Sequence, residues 1–162
     1  MHIRVHRHAS SMSNQPVRPM WHVYDRKGTA FVPNVAQTEA GFFLDVEPVR
    51  IARLDDPQSL ASAIAQAMAA GNPRVPTPTR AVIPKPVILK PAGVRNWNAF
   101  VERGACFTVF SGVEEIEITE TLRNVDGEWV DASSLNQKLS PTSAAPEIAR
   151  RIQRAGQRAD LV

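Results

Sequence analysis

The stretch 94-VRNWNAFVERGACFTVFSGVEEIEITETLRNVDGEWVD-131 decides how this chain folds. Asn96 can cap a short helix whose Trp97, Phe100 and Val101 fall on one side, and Gly104 ends it. Ala105 to Phe110 then alternates, with Phe107 and Val109 on one face and Cys106, Thr108 and Phe110 on the other. Ser111-Gly112 is a turn signal. From Val113 to Leu122, Ile116, Ile118, Glu120 and Leu122 alternate with Glu115, Glu117, Thr119 and Thr121, so one face is mostly apolar and the other carries acids and hydroxyls. Asn124-Val125-Asp126-Gly127 supplies a second turn, and Glu128 to Asp131 returns with Trp129 set to pack on a neighbouring strand. The expectation is an antiparallel meander with one acidic face.

Working outward, 57-PQSLASAIAQAMAA-70 is the clearest helix. Asp56 caps it, Pro57 suits its first turn, and Gly71 with Pro73 closes it. Leu60, Ala63, Ile64, Ala67 and Met68 form its apolar stripe. Before it, 20-MWHVYDRKGTAFVP-33 reads as a β-hairpin, with strands at Trp21–Tyr24 and Thr29–Val32 and Arg26-Lys27-Gly28 at the turn. Trp21, Val23 and Asp25 share one side; His22 and Tyr24 share the other, expected to be a solvated polar face. After a polar segment at Val35–Glu39, Phe42–Glu47 is a strand that Pro48 ends or places at an edge, and Val49 and Ile51 continue an extended pattern.

Residues 72–92 contain six prolines. Such a tract is neither helix nor interior strand, and reads as an extended crossover in which Val87-Ile88-Leu89 could make a short edge strand. Residues 133–145 read as loop. Pro146–Arg158 reads as a terminal helix with Ile148, Ile152 and Ala155 (or Ala149) inward and Arg150, Arg151, Arg154 and Arg158 outward. The fold class expected is α+β: an antiparallel sheet from the N-terminal hairpin and the C-terminal meander, packed by two longer helices and one short one. A flexible arm at 1–16 precedes a single domain at 17–162.

The 162 residues carry a net charge of +3 in alternating blocks, with +4 over 80–104 and −6 over 105–136. No single basic stripe dominates, which weakens a nucleic-acid reading based on the arm, Lys85, Lys90, Arg95 and the terminal-helix arginines. One cysteine cannot make an internal disulfide and fits a reducing cytoplasm. No apolar run approaches a membrane span, and the basic N-terminus lacks the apolar core of a secretory signal.

Chemistry-bearing motifs are sparse. Phosphate loops, dinucleotide fingerprints, zinc spacings and nucleophile elbows are missing, so no catalytic, cofactor or metal residue is assigned. His2, His6 and His8 sit in a terminal tract with nothing to fix a coordination shell. Cys106 has no histidine near it in sequence and reads as inert. A small enzyme would rest on His22, Tyr24, Asp45 and Glu47 alone; Asp45 and Glu47, two residues apart, read more simply as a solvated strand face.

Several strings together carry a resemblance: WHVYDRKGTAFVP (21–33), QTEAGFFLDVEPVRI (37–51), GNPRVPTPTR (71–80), VRNWNAFVERGACFTV (94–109) and GEWVD (127–131) before a terminal helix. Over Trp21 to Ile152 the chain resembles small bacterial immunity proteins, the cognate inhibitors of contact-dependent growth inhibition and related polymorphic toxin systems. That resemblance implies a non-enzymatic cytoplasmic protein that binds the C-terminal toxin domain of a secreted surface protein, with nucleases, including tRNA-cleaving ones, common among such toxins. A nuclease surface must be basic to hold phosphate, so an acidic inhibitor face would speed and select the pairing. Glu115, Glu117, Asp126, Glu128 and Asp131 are the candidate contacts.

Overall fold

A computed structural model describes residues 17–82, 84–102, 104–123, 129–131 and 136–159, with backbone alone at 122–123, 129–131 and 157–159. The elements in chain order are β1 (Met20–Arg26), β2 (Thr29–Thr38), β3 (Phe43–Arg53), α1 (Pro57–Ala70), β4 (Arg74–Val75), α2 (Trp97–Val101), β5 (Gly104–Ser111), β6 (Ile116–Arg123), β7 (Trp129–Asp131), β8 (Gln137–Leu139) and α3 (Ala145–Ala159). The class is α+β, as the alternation predicts.

All strands join one sheet, ordered β3-β2-β1-β5-β6-β7. The hairpin and the meander meet along β1 and β5, antiparallel from Met20↔Phe110 to Arg26↔Gly104. β8 pairs with the start of β6, and β4 runs parallel to the end of β2. The hairpin turn is two residues, Lys27 and Gly28, both at positive φ (53° and 76°), a geometry glycine adopts freely.

α1 and α3 cover one face of the sheet. Leu60, Ala63, Ile64 and Ala67 of α1 meet Ile148, Ala149, Ile152 and Ala155 of α3 over Val23, Phe107, Val109, Ile116 and Ile118. The Trp21 indole joins this core and donates Nε1–H to the Ala67 carbonyl at 3.1 Å. Asp56 caps α1 as expected, accepting from Gln58 and Ser59. The second face is covered at one end, where α2 and residues 87–94 pack on Tyr24 and Phe31. Phe100 is fully buried there and meets Tyr24 and Phe31 edge-on.

Several boundaries differ from expectation. β2 runs ten residues, beyond the expected end at Val32, through Pro33 and into the polar segment as far as Thr38. It persists because β3 lies along its whole length, with a register shift at Pro33/Asn34 where Glu47 and Pro48 are left out of the ladder. Ile88 and Leu89 form no strand; they sit in a turn and bury in the second cluster. The stretch read as a loop contains β8, and β4 pairs where none was expected.

One local device holds the sheet together. β1 pairs with β2 only from Tyr24↔Phe31 to Arg26↔Thr29. Continued by two residues, that register would set His22 against Pro33, which has no N–H to donate. The strands part there, and the Asn72 side chain fills the gap: Oδ1 accepts from the Met20 N–H at 3.0 Å, while Nδ2 donates to the Met20 and Val35 carbonyls at 2.8 and 2.9 Å.

Candidate protein-interaction site

The acids singled out in the sequence are placed by β6 and its neighbours. Glu117 lies opposite Phe110 of β5 and Lys138 of β8. Its Oε2 accepts from Arg18 Nη1 at 3.2 Å, and the Arg18 guanidinium also stands over the Phe110 ring, 5.6 Å from its centroid. Glu115, in the turn before β6, pairs with Lys138 Nζ at 2.9 Å. The hydrogen bond to Glu115 raises the Lys138 ammonium above its ordinary range, with the Glu115 and Glu117 charges adding and Arg18 opposing.

Glu115, Glu117, Arg18 and Lys138 therefore form one quartet of alternating sign at the rim of the second face. It is accessible: Glu117 is 26% exposed, Glu115 35%, Arg18 40% and Lys138 68%. Asp131 lies on β7, in register with Thr121 of β6. Asp126 and Glu128 lie outside the described residues, as do the 1–16 arm and His2, His6 and His8. Exposed pairs of this kind add little to stability, so the quartet is available for recognition at small folding cost.

A second polar constellation lies deeper on the same face. His22, Tyr24 and Asp45, expected on solvated strand faces, are brought together and enclosed. The Tyr24 hydroxyl donates to Asp45 Oδ2 at 2.5 Å, and His22 Nδ1 lies 2.7 Å from Asp45 Oδ1. His22 and Tyr24 are each 6% exposed. Asp45 reaches them from β3 across β2, where Val35 is its ladder partner. Glu47 does not join; the bulge leaves it exposed.

Burial, then the Asp45 charge, then Cys106 push the Tyr24 phenol well above its usual range, so it remains a donor. Cys106 sits opposite Tyr24 and packs against the second cluster. The free ring nitrogen of His22, Nε2, is buried without a hydrogen-bond partner among the described residues. Acid–base catalysis needs a group within reach of a substrate, and this nitrogen has no accessible surface. The triad acts as a polar tether from β1 to β3. Tyr24→Phe, which leaves Asp45 Oδ2 without its donor, should cost about 1–2 kcal/mol in urea unfolding. A loss below the error of the measurement would mean the tether is idle.

Glu120 is the remaining unusual group. It falls on the helix-covered face, opposite Phe107, 1% exposed, and neither carboxylate oxygen has a hydrogen-bond partner among the described residues. Burial, with the Asp25 charge adding, raises its pKa. A raised carboxyl contributes stability that is full below its unfolded pKa and is lost as pH climbs through the folded one. Glu120→Gln should therefore match the native protein near pH 4 and exceed it by on the order of 1 kcal/mol at pH 7. A pH-independent difference between the two would show that the carboxyl does not titrate with folding.

Among the described residues, no helix is long and apolar enough to cross a membrane, and no group of three metal-ligating side chains converges. No family model matches the chain, and no curated protein matches it. Solved structures do. A protein of unknown function from Neisseria meningitidis superposes with a TM-score of 0.65 at 13% identity, covering 91% of this chain and 99% of that one. A chain of the CdiA-CT/CdiI toxin and immunity complex from Yersinia pseudotuberculosis superposes with a TM-score of 0.61, also at 13% identity, covering 87% of this chain and 97% of that one. At this identity the likeness is one of fold, and this α+β fold is shared with a chain of a toxin and immunity complex.

Proposed function

We propose that this protein is the immunity partner of a polymorphic toxin of the contact-dependent growth inhibition type. It would act in the bacterial cytoplasm by binding the C-terminal toxin domain of a surface protein, without chemistry of its own. The observation that carries this reading is the near full-length likeness of fold to a chain of a toxin and immunity complex. The sequence resemblance over Trp21 to Ile152 points the same way independently.

The proposed contact surface is the rim of the second face, with Glu115 and Glu117 at its centre and Asp131 on the neighbouring strand; Asp126 and Glu128 belong to the same proposal. The acids do not stand alone. Arg18 and Lys138 hold Glu117 and Glu115 in the free protein. A basic toxin surface would have to exchange with these internal cations, which favours a partner whose own charges alternate. Pairing of this kind selects a partner more than it tightens binding. The proposed toxin class, a nuclease such as one that cleaves tRNA, comes from the sequence resemblance.

The nucleic-acid reading draws little support from the arginines. Arg53 is held by Asp55, and Arg150 and Arg151 both by Glu147. Arg50 donates to Asn34 and Gln66. These pairs are exposed and weak, and what weighs against the nucleic-acid reading is the alternating charge pattern, in which no single basic stripe dominates. Binding to RNA or duplex DNA should be weak even at low salt; a tight, steeply salt-dependent complex would revive that reading. The immunity reading is tested by co-purifying this protein with the toxin domain encoded immediately upstream. A stable complex with the toxin activity suppressed is expected.

A further inference from the structure

Where β5 turns into β6, the chain is held unusually close. The Gly112 N–H donates to the Glu115 carbonyl at 2.8 Å, and the Ser111 N–H before it donates to the Pro19 carbonyl at 2.9 Å. The Arg18 guanidinium lies against this turn. A Cβ on Gly112 would stand 2.9 Å from the Glu115 carbonyl oxygen and 3.2 Å from Arg18 Nη2, so the turn closes this tightly only with glycine there. Arg18 also stands over Phe110 and donates to Glu117, so one guanidinium braces the turn, β5 and β6 together.

The braced turn holds Val113 out in solvent, 91% exposed. Among the described residues the other exposed large apolar side chains are Val17, Ile51 and Val82. Val17 precedes Arg18 in the chain and Val113 follows Gly112, so two of these four flank the same guanidinium. A single exposed valine is ordinary; two set about one braced ion pair give the rim an apolar part. Beside Val113, Glu114 is exposed and makes no ion pair among the described residues. Its neighbours differ, since Glu115 is held by Lys138 and Glu117 by Arg18.

We propose that Val113 and Glu114, at the tip of the β5–β6 turn, are the specificity-determining contacts of the rim, taking a protein surface whose apolar patch is bordered by a lysine or arginine. This rests on the immunity reading, which makes the toxin domain the partner. Val113 supplies the apolar centre, and the ion-paired quartet beside it supplies the polar border that protein interfaces place around such a centre. Glu114 selects the cation, because it alone of the three rim acids has no internal cation to give up. A tip already braced by Arg18 loses little freedom on docking.

The purified upstream toxin domain is titrated calorimetrically against native protein, Val113→Asp, Val113→Lys and Glu114→Gln. Both Val113 variants should bind at least about tenfold more weakly, because a charge of either sign would be buried against an apolar surface. Glu114→Gln should bind several-fold more weakly with a shallower salt dependence. All three should melt close to the native protein, since the side chains face solvent. Native affinity in the Val113 variants, or a loss in one matched by a gain in the other, overturns the apolar contact while leaving the immunity reading in place. Native affinity and salt dependence in Glu114→Gln overturn the pairing with a cation. If the toxin domain fails to bind native protein, the immunity reading and this proposal fall together.

Discussion

Asn72→Ala is expected to lower the stability of the protein by about 3 kcal/mol, on the usual scale of about 1 kcal/mol for each of three hydrogen bonds lost. The size of the effect follows from where the residue stands. Pro33 ends the β1–β2 ladder by lacking a donor, and the two strand ends beyond it are joined through one side-chain amide. Alanine leaves the Met20 N–H, the Met20 carbonyl and the Val35 carbonyl unmatched in a place where only partial hydration can replace the amide. Asn72→Asp keeps the acceptor for Met20 N–H but turns a carboxylate oxygen toward two carbonyls, so it should be no better tolerated at pH 7 and should recover somewhat in acid. Urea unfolding of the three proteins reads the difference directly. A loss under 1 kcal/mol in Asn72→Ala would mean that the parted strands are held by the packing of Met20, Trp21 and Val35 alone.

The double reversal Glu115→Lys, Glu117→Lys should weaken the toxin complex by about a hundredfold while leaving the fold intact, because like charges set against a partner at an interface cost several kcal/mol. Folding should change by no more than about 1 kcal/mol, since the ion pairs lost to Arg18 and Lys138 are solvent-facing. The single change Glu117→Gln, which frees Arg18 from its partner without adding charge, should fall between. Isothermal titration gives the affinities, and the salt dependence adds a second readout: the native complex should depend only mildly on ionic strength if its charges alternate. Unchanged affinity in the double variant would make the quartet ordinary surface and move the interface elsewhere on the fold.

What could be read from the chain alone was whatever repeats locally. The alternation through Ile116, Ile118 and Glu120 set the face of β6. Asp56, Pro57 and Gly71 bounded α1 to within a residue, because caps and turns are chemistry between near neighbours in sequence. The same alternation puts Glu120 on the apolar face, although nothing local dictates how completely it is enclosed. The misreadings share a cause: each depends on an element distant in sequence. β2 passes through Pro33 because β3 lies beside it. β8 is three residues long and has no period to recognise; it exists because the edge of β6 is open to it.

The site was half legible for the same reason. Alternation puts Glu115 and Glu117 on one face, but their partners Arg18 and Lys138 come from other parts of the chain. Arg18 is 99 residues from Glu117. The alternation of β1 and β3 alone puts His22, Tyr24 and Asp45 on solvated faces, because Asp45 reaches its partners across an intervening strand. Only the sheet order reveals that approach.

The most direct measurement of the central claim is a toxin-activity titration. The upstream toxin domain is assayed at fixed concentration while this protein is added, and growth of cells expressing that toxin is followed with and without it. The account predicts stoichiometric inhibition, complete near one equivalent, together with restored growth. Undiminished toxin activity in the presence of excess folded protein would contradict it.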